Sequence, residues 1–411
     1  MNRPLAPWFL VAAVACGGAP PADSVRGAPT AAAPAPAPTS TPTATDPRLP
    51  DPVRRGVRTP TAPPSDPGVP YPMPDWPKGA PEAFGLSTTG LDAAASVAEA
   101  NQSFCLLVIR HGVLVYERYM NGADATTQSP SWSIAKSYAS TLVGIALDRG
   151  DLPGLDTSVS EYVPEWKADG RAAITIRNLV SMTSGLKWDP VEDYVGLATL
   201  ATDDTSYAIA RPLANPPGST WTYDNGTVQI LDRVFRVATG SSIEQYAQLH
   251  LWSKLGSNAT WKHDPSGNPT VYANVLATCR DHARLGYLYL HGGVWAGVQV
   301  VSPAWVAAAL TPSQTMNRAY CSLWWLNAET PAIDAMGVPW QGRMVSFAPT
   351  DLFAARGFGN QFVDVIPSLD MMVVRFGQDP LGTFDIAKLT VDAHFGIHDA
   401  ILAPLLAAVT P

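Results

Sequence analysis

Two side chains in the stretch PSWSIAKSYASTLVGIALDRG (130–150) have the types and spacing for nucleophilic chemistry: Ser133 and Lys136. A serine hydroxyl is a weak nucleophile until a base removes its proton. Three residues apart on a helix, the two share one face. A serine that opens the helix also sets its backbone N–H at the positive end of the macrodipole, which favours a developing oxyanion. The lysine can take a proton only if burial or a neighbouring cation lowers its pKa. On this motif alone, a helix cap beside a solvated lysine is the better reading. The crowding of Ser131, Trp132 and Ser133 at the start, and the apolar helix behind them, favour a buried lysine.

A second pair, Tyr223 and Asn225, sits in PPGSTWTYDNGT (216–227), a loop bounded by proline and glycine. A tyrosine held against an ammonium can lose its proton near neutral pH and act as general base on Ser133. The Asn225 amide both donates and accepts, so it can hold the lysine and a substrate carbonyl. An Asx turn at Asp224–Asn225–Gly226 with a packing tyrosine is the plain alternative.

Taken together, Ser-x-x-Lys opening a helix and Tyr-x-Asn in a later loop resemble the serine β-lactamase and penicillin-recognising hydrolase superfamily, in its class C and esterase branch. The stretches SWSIAKSYASTLVGIALDRG, ITIRNLVSMTSGLKWD and GSTWTYDNGT resemble the 6-aminohexanoate-dimer hydrolase group within it, and the resemblance runs over about residues 80–405. It implies that Ser133 is acylated, that Lys136 and Tyr223 handle the proton, and that Asn225 contacts lysine or substrate. It also implies an α+β fold with an antiparallel sheet flanked by helices from both chain ends, plus a mainly helical lobe.

The superfamily's third motif, Lys-Thr-Gly, is missing. Ala355–Arg356–Gly357 stands in its place, ahead of GNQFVDVIP. The backbone N–H of Phe358 would then join that of Ser133 as the oxyanion hole, with Gly357 beside it. Without that lysine a substrate carboxylate loses its usual partner, which turns the expectation from β-lactams towards esters and amides. Arg356 is either a replacement cation or a solvated surface residue. In SGLKWDPVEDYVG (184–196), the resemblance makes Trp188 and Tyr194 walls of the substrate cleft and Asp193 a contact for a cationic amine. A surface acidic loop is the alternative.

These residues need elements to position them. Apolar periodicity and caps predict helices at 88–102, from 133 for about 17 residues, at 241–256 and at 278–293, with helix and turn at 172–186. Residues 104–120 read as a hairpin about Arg110–His111–Gly112, and 319–327, 359–368 and 371–377 read as antiparallel strands. Sheet elements at both ends of the chain, about 80–135 and 315–411, would enclose a helical lobe at about 136–314. His111 and His291 read as structural, and Asp281 with Arg284 as an ion pair or cap.

The N-terminus is of another kind. A short apolar run ends at AVAC, which predicts a signal peptide over 1–16 with a lipobox-like end and lipidation of Cys16. Residues 17–75, rich in Ala, Pro and Thr, read as a disordered tether to a domain at 76–411, with order beginning near Pro81. The expected location is outside the cytoplasm, on a membrane only through the lipid. Cys105, Cys279 and Cys321 remain and allow at most one disulfide within the chain. Cys105, in an apolar strand, reads as a small buried hydrophobe. The formal charge of −8 with no basic stripe argues against nucleic acid. No metal-ligand spacing and no Gly-x-Ser-x-Gly elbow occur, so no cofactor or metal is expected. The expected function is an exported serine hydrolase acting on an ester or amide. The alternatives are a β-lactamase or D-alanyl peptidase, and a non-catalytic module that binds cell-wall peptides. Oligomeric state is not legible.

Overall fold

Strand β1 (Ser103–Arg110) is an apolar run, and β2 (Val113–Tyr119) returns antiparallel to it. The turn between them holds both His111 and Gly112 at positive φ, 50° and 72°. Two left-handed residues give the turn the twist that a tight hairpin needs. His111 is held there by Asp370: its N–H donates to the Asp370 carbonyl, and its ring lies 2.8 Å from the carboxylate. The computed structural model describes Gly68, residues 70–378 and 391–410, all within the unit Pro60–Pro411. The signal peptide expected at 1–16, Cys16 and most of the tether lie outside the described residues.

The chain re-enters the sheet as β3 (Tyr320–Cys321), β4 (Trp324–Leu326), β5 (Phe353–Gly357), β6 (Gln361–Ile366) and β7 (Met371–Gly377). The seven strands are ordered β2-β1-β7-β6-β5-β4-β3, every neighbour antiparallel. The segment expected as one strand at 319–327 is two short strands. Ser322 and Leu323, at φ 41° and 66°, turn the chain between them.

Helices cover both faces. α1 (Thr88–Ala100), capped by Ser87, packs beside the final helix α5 (Val391–Ala407). Ser87 N–H donates to Ala408 O at 2.9 Å and Thr410 N–H to Gly85 O at 2.9 Å, which ties the segment before α1 to the segment after α5. On the opposite face lie α2 (Ile134–Arg149) and α4 (Cys279–Leu290); α3 (Asn225–Thr239) belongs to the helical region. Strand parity sorts the side chains. Val363 and Val365 face α4, where Gly286 lets the helix close in: a Cβ there would stand 2.8 Å from Val363 Cγ1. Phe362 and Asp364 point the other way, and Phe362 meets His398 of α5 at 4.8 Å between rings. The α+β architecture with helices from both chain ends is the expected one, although α4, counted with the helical lobe, lies on the sheet.

Two corrections follow, one at the edge of the domain and one in its sheet. Order begins by Pro70 rather than near Pro81, because aromatic burial anchors the chain there. Tyr71 meets the Tyr287 and Trp295 rings at 5.7 and 5.5 Å, and Trp76 is buried against Tyr287. Asp75 pairs with Arg280 at 2.7 Å. Arg284, besides pairing with Asp281 at 3.6 Å, donates to Pro74 O at 2.7 Å. The second correction is Cys105. It is no lone hydrophobe but forms a disulfide with Cys279, joining β1 to the start of α4, while Cys321 is free and buried.

That bridge closes a loop of 174 residues, and a constraint on so long a loop removes much freedom from the unfolded chain. Replacing both cysteines by serine should lower the calorimetric melting temperature by roughly 3–10 °C. An unchanged melting temperature would show that the bridge contributes nothing to stability.

Candidate active site

The approach to Ser133 is pinned from outside its helix. Gln128–Pro130 pairs with Val275–Thr278 in a small three-stranded sheet. Ser131 N–H donates to Val275 O and Val275 N–H to Ser131 Oγ, each at 2.9 Å. Trp132 follows at φ 48°, a left-handed conformation that a large side chain holds only under such constraint. Ser133 then takes the N-cap position of α2, but its hydroxyl caps nothing. The helix-cap alternative therefore does not hold, and the Oγ is left for Lys136.

Lys136 is 1% exposed. Its ammonium donates to Ser133 Oγ at 2.9 Å, to Asn225 Oδ1 at 2.7 Å and to the Tyr272 carbonyl at 2.9 Å. It also lies 4.7 Å from the centre of the Tyr223 ring. Burial pulls its pKa down to about 7, against Asp193 and Asp224, which pull it up. Tyr223 goes the other way. Burial raises its pKa, only partly countered by hydrogen bonds to Ser133 and Tyr320. Burial thus favours a protonated Tyr223 over the tyrosinate expected from the sequence, and the group whose proton burial loosens is the lysine.

Asn225 lies in the first turn of α3, not in a loop. Asp224 caps that helix, accepting from Gly226 N–H at 2.8 Å and Thr227 Oγ1 at 2.7 Å. Behind it is a fully buried charge cluster. Arg211 pairs with Asp224 at 2.7 Å and with Asp193 at 2.9 Å. Asp193 accepts further from the backbone N–H of Asn225 at 3.1 Å and of Gly226 at 3.3 Å. Burial and Asp224 push the Asp193 carboxyl up, against Arg211 and the Asn225 N–H. Asp193 is therefore no amine contact in the cleft, because its oxygens are taken up by α3 and Arg211.

Ser133 and Tyr223 open into a cleft of about 80 Å³ walled by Tyr194, Trp325, Asp334, Gly357 and Phe358 among others. Tyr194 stands where the cleft reading put it; Trp188 does not line the pocket. The Asp189 side chain accepts from Val191 N–H and Glu192 N–H and turns the chain there, and a π-helix over Glu192–Leu200 then carries Tyr194 to the pocket. Gly357 faces α2, and a Cβ on it would collide with the Ser131 carbonyl. Only glycine lets this strand end approach the nucleophile's turn so closely. Phe358 meets the Trp132 ring at 5.3 Å. Arg375, buried in β7, donates to Asn360 O at 3.1 Å and Gly359 O at 2.6 Å, and so fixes the turn after Phe358.

Arg356 borders the pocket, but strand parity aims it at the α5 face. It lies 2.9 Å from His398 Nε2 and 3.5 Å from Asp364, its side chain 11% exposed. It is not solvated, and it lines the cleft with its guanidinium engaged by these partners. Reading the sequence missed Arg211, the Tyr272 carbonyl, Trp325 and Asp334, none of which carries a local signal. Asp224 stood in the Asx-turn alternative, and its Oδ1 does accept from Gly226 N–H.

A match to the Beta-lactamase family spans residues 91–380. The chain belongs to that family. It is 28% identical over 222 residues to the 6-aminohexanoate-dimer hydrolase of Paenarthrobacter ureafaciens, covering 50% of this chain and 56% of that protein. It is 30% identical over 232 residues to penicillin-binding protein 4 of Amycolatopsis lactamdurans, covering 47% and 59%. The chain thus spans little more than half the length of these relatives. Its fold matches the solved structure of a Bacillus anthracis protein provisionally assigned as a 6-aminohexanoate-dimer hydrolase, at TM-score 0.63 and 18% identity, over 81% of this chain and 88% of that one.

The electrostatics make a pH prediction. A neutral Lys136 is the form that can accept a proton, so kcat/KM should rise with pH through about 7 and then level. Asp193→Asn removes a negative charge that holds the ammonium form, so the midpoint should move to lower pH by roughly half a unit or more. A midpoint that stays in place, or moves up, would disconnect the cluster from Lys136.

Proposed function

We propose that this protein is a serine hydrolase that cleaves an ester or amide bond through an acyl-enzyme on Ser133. The observation that carries the reading is the 2.9 Å contact between Ser133 Oγ and a fully buried Lys136 at the wall of a cleft. Neutral Lys136 takes the Ser133 proton as Oγ bonds to the substrate carbonyl carbon, and the carbonyl electron pair moves to oxygen. The backbone N–H groups of Ser133 and Phe358 receive that oxyanion. Tyr223, kept protonated by burial, gives its proton to the leaving oxygen or nitrogen as the bond to carbon breaks, and regains one from Lys136. Water then attacks the Ser133 ester by the same proton path in reverse, releasing the acid.

Family membership and the 6-aminohexanoate-dimer hydrolase relative support ester or amide substrates. Arg356 lines the cleft with its guanidinium already engaged by Asp364 and His398, which weighs against penicillins as carboxylate-bearing substrates. The similarity to penicillin-binding protein 4 keeps β-lactam acylation as the second reading. Ser133→Ala should cut turnover of short p-nitrophenyl esters by at least roughly a thousandfold and abolish fluorophosphonate labelling. Retained turnover would sink the assignment, and hydrolysis of a chromogenic cephalosporin as fast as of the esters would promote the second reading.

The proposal includes export with a lipid on Cys16, and the Cys105–Cys279 disulfide supports an oxidising compartment. Labelling cells with radioactive palmitate should mark the full chain, and Cys16→Ser should remove the label. Equal labelling of both would refute the anchor.

A further inference from the structure

Gln229 lies one turn beyond Asn225 on α3, on the same helix face, and it is fully buried. A buried amide costs stability unless its donors and its acceptor are engaged, and an apolar side chain would fill the same space without that cost. Here every polar group is engaged. Nε2 donates to Pro269 O at 3.0 Å and to Thr205 Oγ1 at 3.0 Å, and Oε1 accepts from Val271 N–H at 2.9 Å.

Two of these three bonds go to one short stretch of backbone. Donating to Pro269 and accepting from Val271, the amide grips that stretch as a neighbouring strand would. Tyr272 is the next residue, and its carbonyl is the one that accepts from the Lys136 ammonium at 2.9 Å. The other side of the stretch is tied down separately. Ala273 N–H donates to Thr270 O at 2.8 Å, closing a turn about Val271 and Tyr272, and Asn274 N–H donates to Trp132 O at 3.2 Å. The Tyr272 carbonyl is thus held between the start of α2 and the buried amide on α3.

Of the three oxygens around the ammonium, α3 therefore governs two: Asn225 Oδ1 directly, and the Tyr272 carbonyl through Gln229. We propose that Gln229 is a positioning residue for Lys136, setting the Tyr272 carbonyl against the ammonium and so fixing where the lysine stands when it faces Ser133 Oγ. The catalytic consequence rests on the hydrolase reading of Ser133. The charges that face Lys136 lie off this turn: Asp193 and Asp224, paired with Arg211, and beside them the phenol of Tyr223. Asp204, the carboxylate at the turn, accepts from the Tyr272 hydroxyl at 3.0 Å and not from the lysine. A looser turn acts on Lys136 through one hydrogen bond and no change of charge. The ammonium form loses an acceptor and the neutral form does not, so the lysine gives up its proton at lower pH.

Gln229→Met keeps the volume and removes the three bonds. In protein isotope-labelled at the lysine ε-carbon, the NMR titration of Lys136 should then move to lower pH by roughly half a unit or more. With an ester substrate, kcat should fall by about ten- to a hundredfold. KM should change little, because Gln229 does not line the cleft. Thr205→Val takes a partner from the same amide but none from the turn, so it should lower the melting temperature and leave the titration in place. An unmoved titration in Gln229→Met, or an equal shift in Thr205→Val, overturns the proposal. The wild-type protein supplies a reading without a variant: the Val271 backbone and Gln229 side-chain amide signals should move with pH at the midpoint of the Lys136 ε-carbon. Signals that stay fixed through that midpoint overturn the proposal as well. If the titration shifts as stated while the wild-type protein turns over no ester or amide, it is the hydrolase reading that has failed and not the positioning.

Discussion

The site depends on a lysine ammonium taken out of water and held by three oxygens from three parts of the chain. Ser133 belongs to the start of α2, Asn225 to the start of α3, and the Tyr272 carbonyl to the segment before the strand that pins Ser131. A buried amine needs such partners when charged and is destabilised by the same burial, so its pKa falls towards neutrality. The geometry of nucleophile, helix starts and loop is thus coupled to one group's protonation. None of the three oxygens can move without leaving the ammonium short of an acceptor.

Behind the lysine, charge is balanced rather than removed. Asp193 and Asp224 face Arg211 and Lys136, two carboxylates against two cations in a buried cluster. Breaking a buried pair by removing one member leaves an uncompensated charge, whereas the intact set is close to neutral. The same carboxylates hold the backbone of α3: Asp193 takes the N–H of Asn225 and Gly226, and Asp224 takes Gly226 and Thr227. Positioning Asn225 and tuning Lys136 are therefore one arrangement. Gly226 leaves room for the Arg211 guanidinium, which a Cβ would approach to 2.7 Å.

What was legible in the sequence was local. Ser133 and Lys136 share a helix face by spacing alone, and the β1–β2 hairpin followed from apolar runs about His111–Gly112. The α+β fold followed from where strands and helices fall along the chain. What escaped depends on long-range pairing or on register. Arg211 and Asp334 sit in stretches whose composition says only loop, and their partners are set by tertiary contacts. Asp193 was misread because its segment was taken for a cleft loop, whereas a helical turn over Glu192–Leu200 brings its carboxylate onto Arg211 and the start of α3. Arg356 was ambiguous because parity on β5 is undefined until its pairing with β6 is known. Three cysteines allowed three pairings, and only the packing of α4 on β1 selects Cys105 with Cys279.

The parity of β5 also explains how the family's missing lysine can be tolerated. Arg356 pairs across to Phe362 in register, and so faces α5, where Asp364 and His398 receive its charge. Gly357, one residue on, faces α2 and the Ser131 carbonyl. The strand thus keeps its backbone beside the turn before Ser133, while its cation is engaged by partners on the α5 side.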